Sequence, residues 1–288
     1  MSMSAVRVRA CLSFDIDGLA LIRAKRALGV DLPDGLADLM QRDQTVYFDR
    51  LLGFYDRLGV PQSVFIPTLT ARAEPDRVHR LIDSGHEIGF HGWDHLPFAS
   101  LDAAGERAEF QNSVDVFRAE FGVRLRGMRA PSYGLSDRTP ENVIAAGMTY
   151  DSSAVAEFLP QRMTRAAGGY WSLPTHAQLD DWAHCVHLPR LGYDRPMLPA
   201  AQVLRVYKDT FDRCYAEGGC FVTVWHPFVT LCDRYIGVAD ALADYIAGHT
   251  GVVFSTLADM ADALDAQRGP YSPQDGAGIS QAARITRA

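Results

Sequence analysis

No apolar run in this chain of 288 residues approaches transmembrane length, and its first ten residues, MSMSAVRVRA, lack the apolar stretch of a secretory signal. Those two absences set the expectation of a cytoplasmic protein with no membrane partner. Cysteine is scarce and odd in number: five residues, Cys11, Cys185, Cys214, Cys220 and Cys232, are scattered as reduced thiols would be. No internal repeat or heptad run is present, which excludes solenoids and coiled coils. Positive charge is in deficit, with 28 Lys and Arg against 35 Asp and Glu and a formal net charge of −7, an argument against nucleic acid or any polyanionic partner. What is abundant is apolar content, 48% of the chain, enough for one large core. The expected organisation is a single domain over residues 1–268. A Gly-, Ser- and Pro-rich tail follows over 269–288, read as mobile or as an arm ordered by a neighbouring subunit.

Strand-like and helix-like segments alternate along that domain. Val6 to Phe14, Ser63 to Ile66, Glu87 to Phe90, Val123 to Met128, Tyr170 to Pro174, Gly219 to Trp225 and Gly251 to Ser255 read as strands. Thr45 to Leu58 places Val46, Phe48, Leu51, Leu52, Tyr55 and Leu58 at helical spacing before Gly59. Helices are also predicted over Glu74 to Ser84, Ala103 to Phe121, Pro199 to Ala216, Val238 to Ala247 and Leu257 to Gln267. Residues 21–43, of mixed charge with Pro33 and Gly35, interrupt the first strand-to-helix connection and read as a lid or an oligomer contact.

Chemistry-bearing residues cluster where the strands end. His86-Glu-Ile-Gly-Phe-His91-Gly-Trp-Asp-His95 runs a buried strand into two histidines spaced i, i+4. A helical turn after Gly92 would put them on one face, able to grip a divalent metal. Asp15 and Asp17, two residues apart on an extended chain, point the same way and call for a cation between them. Arg129 leaves the fourth strand, Asp180-Asp181-Trp182 follows the fifth, and His226, held extended by Pro227, follows the sixth. Polar clusters placed just after apolar strands fit an α/β barrel with its site at the strands' C-terminal ends.

The ordered blocks SFDIDG, HEIGFHGWDH, RAPSYG, LPTHAQLDDW and TVWHP resemble the polysaccharide deacetylase (NodB-homology) family of carbohydrate esterases and its cyclic-amide hydrolase relatives, over roughly Val6 to Leu264. The resemblance implies a distorted, often incomplete (β/α) barrel. It also implies a metal triad of Asp17, His91 and His95, with Asp15 as general base and Arg129 as the residue that orients it. By the same resemblance His226 is the acid that protonates the departing nitrogen, and a backbone N–H near Tyr133 stabilises the oxyanion. Asp180 or Asp181 tunes His226, and Trp182 stands with them at the substrate. Two departures from the usual pattern, Ile16 between the aspartates and Gly92 after the first metal histidine, bring the chain closer to an intracellular branch with peptidoglycan-deacetylase-like, allantoinase-like and cyclic imide hydrolase members. That branch implies a homodimer or homotetramer.

Other residues with reactive side chains are assigned to structure. His86 lies five residues before His91 and points to the opposite face of an extended run, so a structural hydrogen bond is expected of it. His184, Cys185 and His187 form a poor ligand pattern on a loop, and His176 reads as pocket wall. Trp93, Trp182, Trp225 and Phe228 divide between core and pocket lining.

The expected function is hydrolysis of the carbon–nitrogen bond of a small cyclic or N-acyl amide by water activated at one divalent metal ion. Zinc is the commonest default for such a ligand set, and cobalt, nickel, manganese or ferrous iron are compatible. Small amides are favoured over polymers because a cytoplasmic enzyme does not readily meet finished cell-wall glycan. The alternatives are an N-acetylglucosamine or peptidoglycan-type deacetylase and an inactive binding scaffold.

Overall fold

The computed structural model describes residues 6–268, so the tail predicted over 269–288 lies outside the described residues. The chain begins with β1 (Val8–Cys11) and β2 (Phe14–Asp15), then α1 (Leu19–Ala27), α2 (Leu36–Arg42), a π-helical turn over Asp43–Tyr47, and α3 (Phe48–Leu58). Next come β3 (Ser63–Ile66), α4 (Thr68–Ala73), α5 (Pro75–Asp83), β4 (Glu87–Phe90), α6 (Ala103–Phe121) and β5 (Gly127–Met128). The second half holds α7 (Thr139–Ala145), β6 (Tyr150–Asp151), β7 (Gln161–Arg165), β8 (Gly168–Ser172), α8 (Trp182–Cys185) and α9 (Ala200–Glu217). It closes with β9 (Gly219–Val222), α10 (Pro227–Thr230), α11 (Ile236–Ala247), β10 (Val252–Phe254) and α12 (Leu257–Arg268). Among the described residues no helix is long and apolar enough to cross a membrane.

Local chemistry explains the better-defined helices. Asp102 caps α6 by accepting from the Gly105 N–H at 2.7 Å, and Gly122, at φ +67°, ends the helix in the left-handed region. Pro75 occupies the first turn of α5, where no N–H is needed.

β1 and β2 are one strand interrupted at Leu12 and Ser13, and the break splits the sheet in two. β1 sits between β10 and β9 in a three-stranded parallel sheet, while β2 begins a seven-stranded sheet of order β2-β3-β4-β5-β6-β8-β7. All pairings are parallel except β7 with β8, an outer hairpin. Parallel bridges from Phe14 to Trp225 and from Asp180 to Val224 draw the two ends together. The result is a distorted α/β barrel without a continuous hydrogen-bonded wall among the described residues, as the sequence led us to expect. Its interior is packed with fully buried rings: Phe14 meets Trp225, Tyr55 and Phe54 edge-on at 5.5, 5.9 and 6.0 Å.

Several boundaries differ from the sequence reading. The strand expected over Val123 to Met128 is reduced to Gly127–Met128, because Gly122 turns the chain out of α6 and the next four residues only approach the sheet. β6 is two residues long, and β7 (QRMTR) is a half-exposed strand without apolar alternation, so neither carries a periodic signal. The helix read from Thr45 starts at Phe48, behind the π-helical turn. Residues 21–43 fold back as α1 and α2, burying Leu21, Ile22, Leu36 and Met40. They form part of the barrel's end rather than a detached lid.

Gly127 lies directly opposite Tyr150 in the β5–β6 pair, and a Cβ there would stand 2.3 Å from the Tyr150 ring. Gly127→Ala is therefore expected to destabilise the fold by roughly 1–3 kcal/mol through overpacking. Urea unfolding should show a lowered midpoint with an unchanged slope.

Candidate active site

Two strand ends deliver the three expected metal ligands to one point. Asp17 follows β2, and His91 and His95 follow β4; all three are buried. His91 Nε2 and His95 Nε2 lie 3.4 and 3.2 Å from Asp17 Oδ1. The helical turn expected between the histidines does not form. Gly92 at φ +78° and His95 at φ +61° curl the chain through the left-handed region instead, leaving the rings 5.0 Å apart. Gly92 is the residue this turn admits, because a Cβ would lie 2.9 Å from Pro131.

The trio suits a divalent cation on its own evidence. Asp17 Oδ1 is buried and, among the described residues, makes no hydrogen bond although two imidazole nitrogens face it. His91 Nδ1 is 2.8 Å from the Arg129 carbonyl, which only accepts, so Nδ1 carries the proton and Nε2 keeps its lone pair for a metal. Burial works to raise the Asp17 pKa, yet His95, His91 and His226 together hold the carboxyl well below its usual range.

Asp15 and Arg129 form a buried ion pair beside this trio. The guanidinium donates to Asp15 Oδ1 through Nη1, to Ser13 Oγ and Ser152 Oγ through Nη2, and to the Ser152 carbonyl through Nε. With Oδ1 so engaged, Asp15 presents Oδ2 toward His91 Nε2, 3.8 Å away.

His226 stands on the other side, its Nε2 3.9 Å from Asp17 Oδ2. The choice between the paired aspartates is plain in the geometry. Asp181 Oδ1 is 2.8 Å from His226 Nδ1, and Oδ2 accepts from the His226 N–H at 2.7 Å and from Thr230 Oγ1 at 2.7 Å. Burial opposes the imidazolium, but Asp181, reinforced by Asp17 and Asp15, raises the His226 pKa to about 10. Asp180 accepts instead from the Tyr133 hydroxyl at 2.7 Å and from the Trp182 N–H at 2.9 Å. Burial raises its pKa to about 6.

Tyr133 is placed differently from the sequence reading. Its N–H donates to the Ala130 carbonyl at 3.0 Å, and the Gly134 and Leu135 amides are likewise engaged within the turn. The backbone N–H assigned to an oxyanion is thus already bonded, and Tyr133 contributes through its side chain at the wall. Ser132 and Tyr133 hold positive φ of 51° and 56°, a conformation that costs L-residues roughly 1–3 kcal/mol each and concentrates at functional sites.

The cavity above these groups measures about 110 Å³. Its floor is Asp15, Asp17, His91, His95, Arg129 and His226, and its walls include Tyr133, Asp180, Trp182, Leu21, Leu191 and Tyr193. The residues set aside by sequence stay apart. His86 Nδ1 accepts from the Gln62 N–H at 3.1 Å and its ring stacks on Tyr55. His184 is bonded to the Gln178 carbonyl at 3.2 Å and His187 to the Arg195 carbonyl at 3.1 Å.

Asp43 was not visible in the sequence, where it reads as one more acid in a charged segment. It is fully buried in the π-helical turn. Its Oδ2 accepts from the Gly18 N–H at 3.0 Å and its Oδ1 from the Phe228 N–H at 3.1 Å. One carboxylate thereby ties the loop carrying Asp15 and Asp17 to the loop carrying His226. The π-helical turn itself, a feature frequent at functional sites, was the only available signal, and it is visible only in three dimensions.

Comparisons with known proteins bear on the family likeness and the fold. Residues 35–150 match the family model described as polysaccharide deacetylase. A peptidoglycan deacetylase of Helicobacter pylori is 22% identical over 262 residues, covering 81% of this chain and 88% of its own length. The chain is thus similar to polysaccharide deacetylases over residues 35–150 and to a peptidoglycan deacetylase over most of its length. Two solved structures share its fold. One, from Mycobacterium smegmatis and assigned to the polysaccharide deacetylases, superposes with a TM-score of 0.86 at 22% identity, covering 96% of each chain. The other, Puue allantoinase, gives a TM-score of 0.79 at 17% identity, covering 93% of each chain.

Replacing Asp43 by Ala would strand two buried N–H groups and release both loops. Asp43→Ala is expected to weaken zinc retention by at least roughly tenfold, the scale set by residues that orient metal ligands. Equilibrium dialysis against zinc checks this; unchanged retention would show that Asp43 does not position the site.

Proposed function

We propose that this protein is a metal-dependent amidohydrolase that opens or deacylates a small cyclic or N-acyl amide. The observation that carries the reading is the small cavity, about 110 Å³, whose floor joins Asp17, His91 and His95 to both a base and an acid. Engineered cavities of about 150 Å³ accept a single benzene ring, so a space of this size suits a small planar amide better than a sugar chain. The allantoinase likeness in fold adds support, and the peptidoglycan deacetylase relative supplies the competing reading.

A divalent cation held by Asp17, His91 and His95 would polarise the scissile carbonyl and lower the pKa of water. The protein's own groups handle the protons. Asp15 takes one on Oδ2, because Arg129 occupies Oδ1 and fixes the carboxylate plane. His226 carries a proton on Nε2, because Nδ1 is committed to Asp181, and gives it to the departing nitrogen. Apolar walls from Leu21, Leu191 and Trp182 keep bulk water from screening these charges. Zinc is the metal we favour for the two imidazoles and one carboxylate.

The decisive assay offers succinimide, hydantoin, allantoin, N-acetylglucosamine and a chitooligomer with zinc, with cobalt and after chelation. Ring opening of an imide or ureide, lost on chelation, is expected; acetate from the sugars alone would move the enzyme to the glycan deacetylases. Within the active pair, Asp15→Asn should keep metal and lose at least ~100-fold in turnover, as for a general base. The pH profile tests the acid. His226 acts in its protonated form, so activity falls as pH rises through its pKa. Removing the Asp181 charge in Asp181→Asn removes what raises that pKa, so the alkaline limb should move to lower pH. An unmoved limb would detach it from His226.

A further inference from the structure

Tyr193 brings to the cavity a polar atom that the site described above leaves unused. The residue lines the cavity from the loop between α8 and α9. Its backbone is held by two hydrogen bonds with Leu188, at 2.7 and 3.2 Å, and its ring packs on Trp182 with centroids 4.8 Å apart. Trp182 meets the His226 ring edge-on at 5.6 Å, so the phenol stands one ring away from His226. Tyr193 is 38% exposed, which lets a bound molecule reach it. Among the described residues its hydroxyl makes no hydrogen bond, whereas Tyr133, the other phenol of the cavity, donates to Asp180 Oδ2 at 2.7 Å. Burial, followed by the charges of Asp180, Asp17 and Asp181, pushes the Tyr193 pKa up to about 12. The hydroxyl therefore keeps its proton and can donate it. An acceptor with a negative charge would be repelled by the same carboxylates, so the partner this donor suits is a neutral carbonyl oxygen.

We infer that Tyr193 is a specificity residue whose hydroxyl donates to a second carbonyl of the substrate, one that is not cleaved. The inference rests on the amidohydrolase reading, in which the scissile carbonyl lies over Asp17, His91 and His95 on the floor, and it adds the substrate class. A donor on the wall then meets a different oxygen from the one on the floor. Imides and ureides carry a second carbonyl; simple lactams have none. A neutral hydrogen bond of this kind contributes roughly five- to tenfold in affinity.

The test sets succinimide against 2-pyrrolidinone, the same ring with one carbonyl fewer. Binding of each to the zinc-loaded protein and to its Tyr193→Phe variant is measured by calorimetry, with ring opening followed separately. Phenylalanine keeps the ring that packs on Trp182 and removes only the hydroxyl. Tyr193→Phe is expected to weaken succinimide binding by roughly five- to tenfold and to leave 2-pyrrolidinone binding unchanged. In turnover the loss should fall mainly on KM, because the contact is made equally in the ground state and the transition state. Equal losses for both rings, no loss for either, or no binding of succinimide by wild type overturns the inference. A loss confined to succinimide, with neither ring opened by any variant, leaves the Tyr193 contact standing and defeats the amidohydrolase reading. Ring opening that survives Tyr193→Phe with an unchanged KM does the reverse.

Discussion

Everything at the mouth of this barrel depends on the Arg129–Asp15 ion pair. Arg129 is fully buried, and its guanidinium reaches the ends of four strands at once. It bonds Asp15 at the end of β2 and Ser152 just after β6, lies 4.1 Å over the Phe65 ring of β3, and departs from β5. Its own backbone completes the set: the N–H donates to Phe90 at the end of β4 at 2.9 Å, and the carbonyl accepts from His91. A buried charge of this kind is costly unless it is paired and hydrogen-bonded, and here all three guanidinium nitrogens donate. Losing either partner would strand the other and cost about 3–5 kcal/mol. The same interaction that ties the strand ends together therefore also orients Asp15 and, through the Arg129 carbonyl, His91.

The interruption at Leu12 and Ser13 follows from this arrangement. Ser13 Oγ donates to the Thr223 carbonyl while accepting from Arg129, so it joins the buried cation to the β9 side of the barrel. Asp15 N–H donates to the Trp225 carbonyl at 2.7 Å, and Asp181 N–H to the Val224 carbonyl at 3.1 Å. Those bonds place Asp15, His226 and Asp181 on adjacent backbone segments. A site built from extended strand ends in this way owes its precision to backbone hydrogen bonds more than to loop packing.

How much of this could be read from the residues varied with the length of the signal. The nineteen residues of α6 carry a cap, a period and a terminal glycine, and both its ends matched expectation. The site residues were legible because each follows an apolar strand, and strands end where polar groups can face a cavity. Asp43 was not, since its role requires knowing that residues 18 and 228 converge. Two-residue strands such as β6 leave no period to detect. The histidine pair converges with Asp17 by another backbone than the one read: i, i+4 spacing suggests a helical turn, but two left-handed residues bring the rings together in this chain. The Tyr133 amide failed for a related reason, because sequence does not show that a tight turn consumes its own N–H groups.

Asp15 and His226 are distinguished by how each is paired, not by residue type alone. Arg129 saturates the far oxygen of Asp15, and Asp181 saturates the far nitrogen of His226, so each group faces the cavity with one atom only. Behind the imidazole, the Asp181 anion favours the charged, donating form of His226. The wall residues Leu21, Leu191 and Tyr193 line the same cavity without belonging to either pair. One fold can accordingly keep its hydrolytic floor while its walls distinguish a glycan from a small amide.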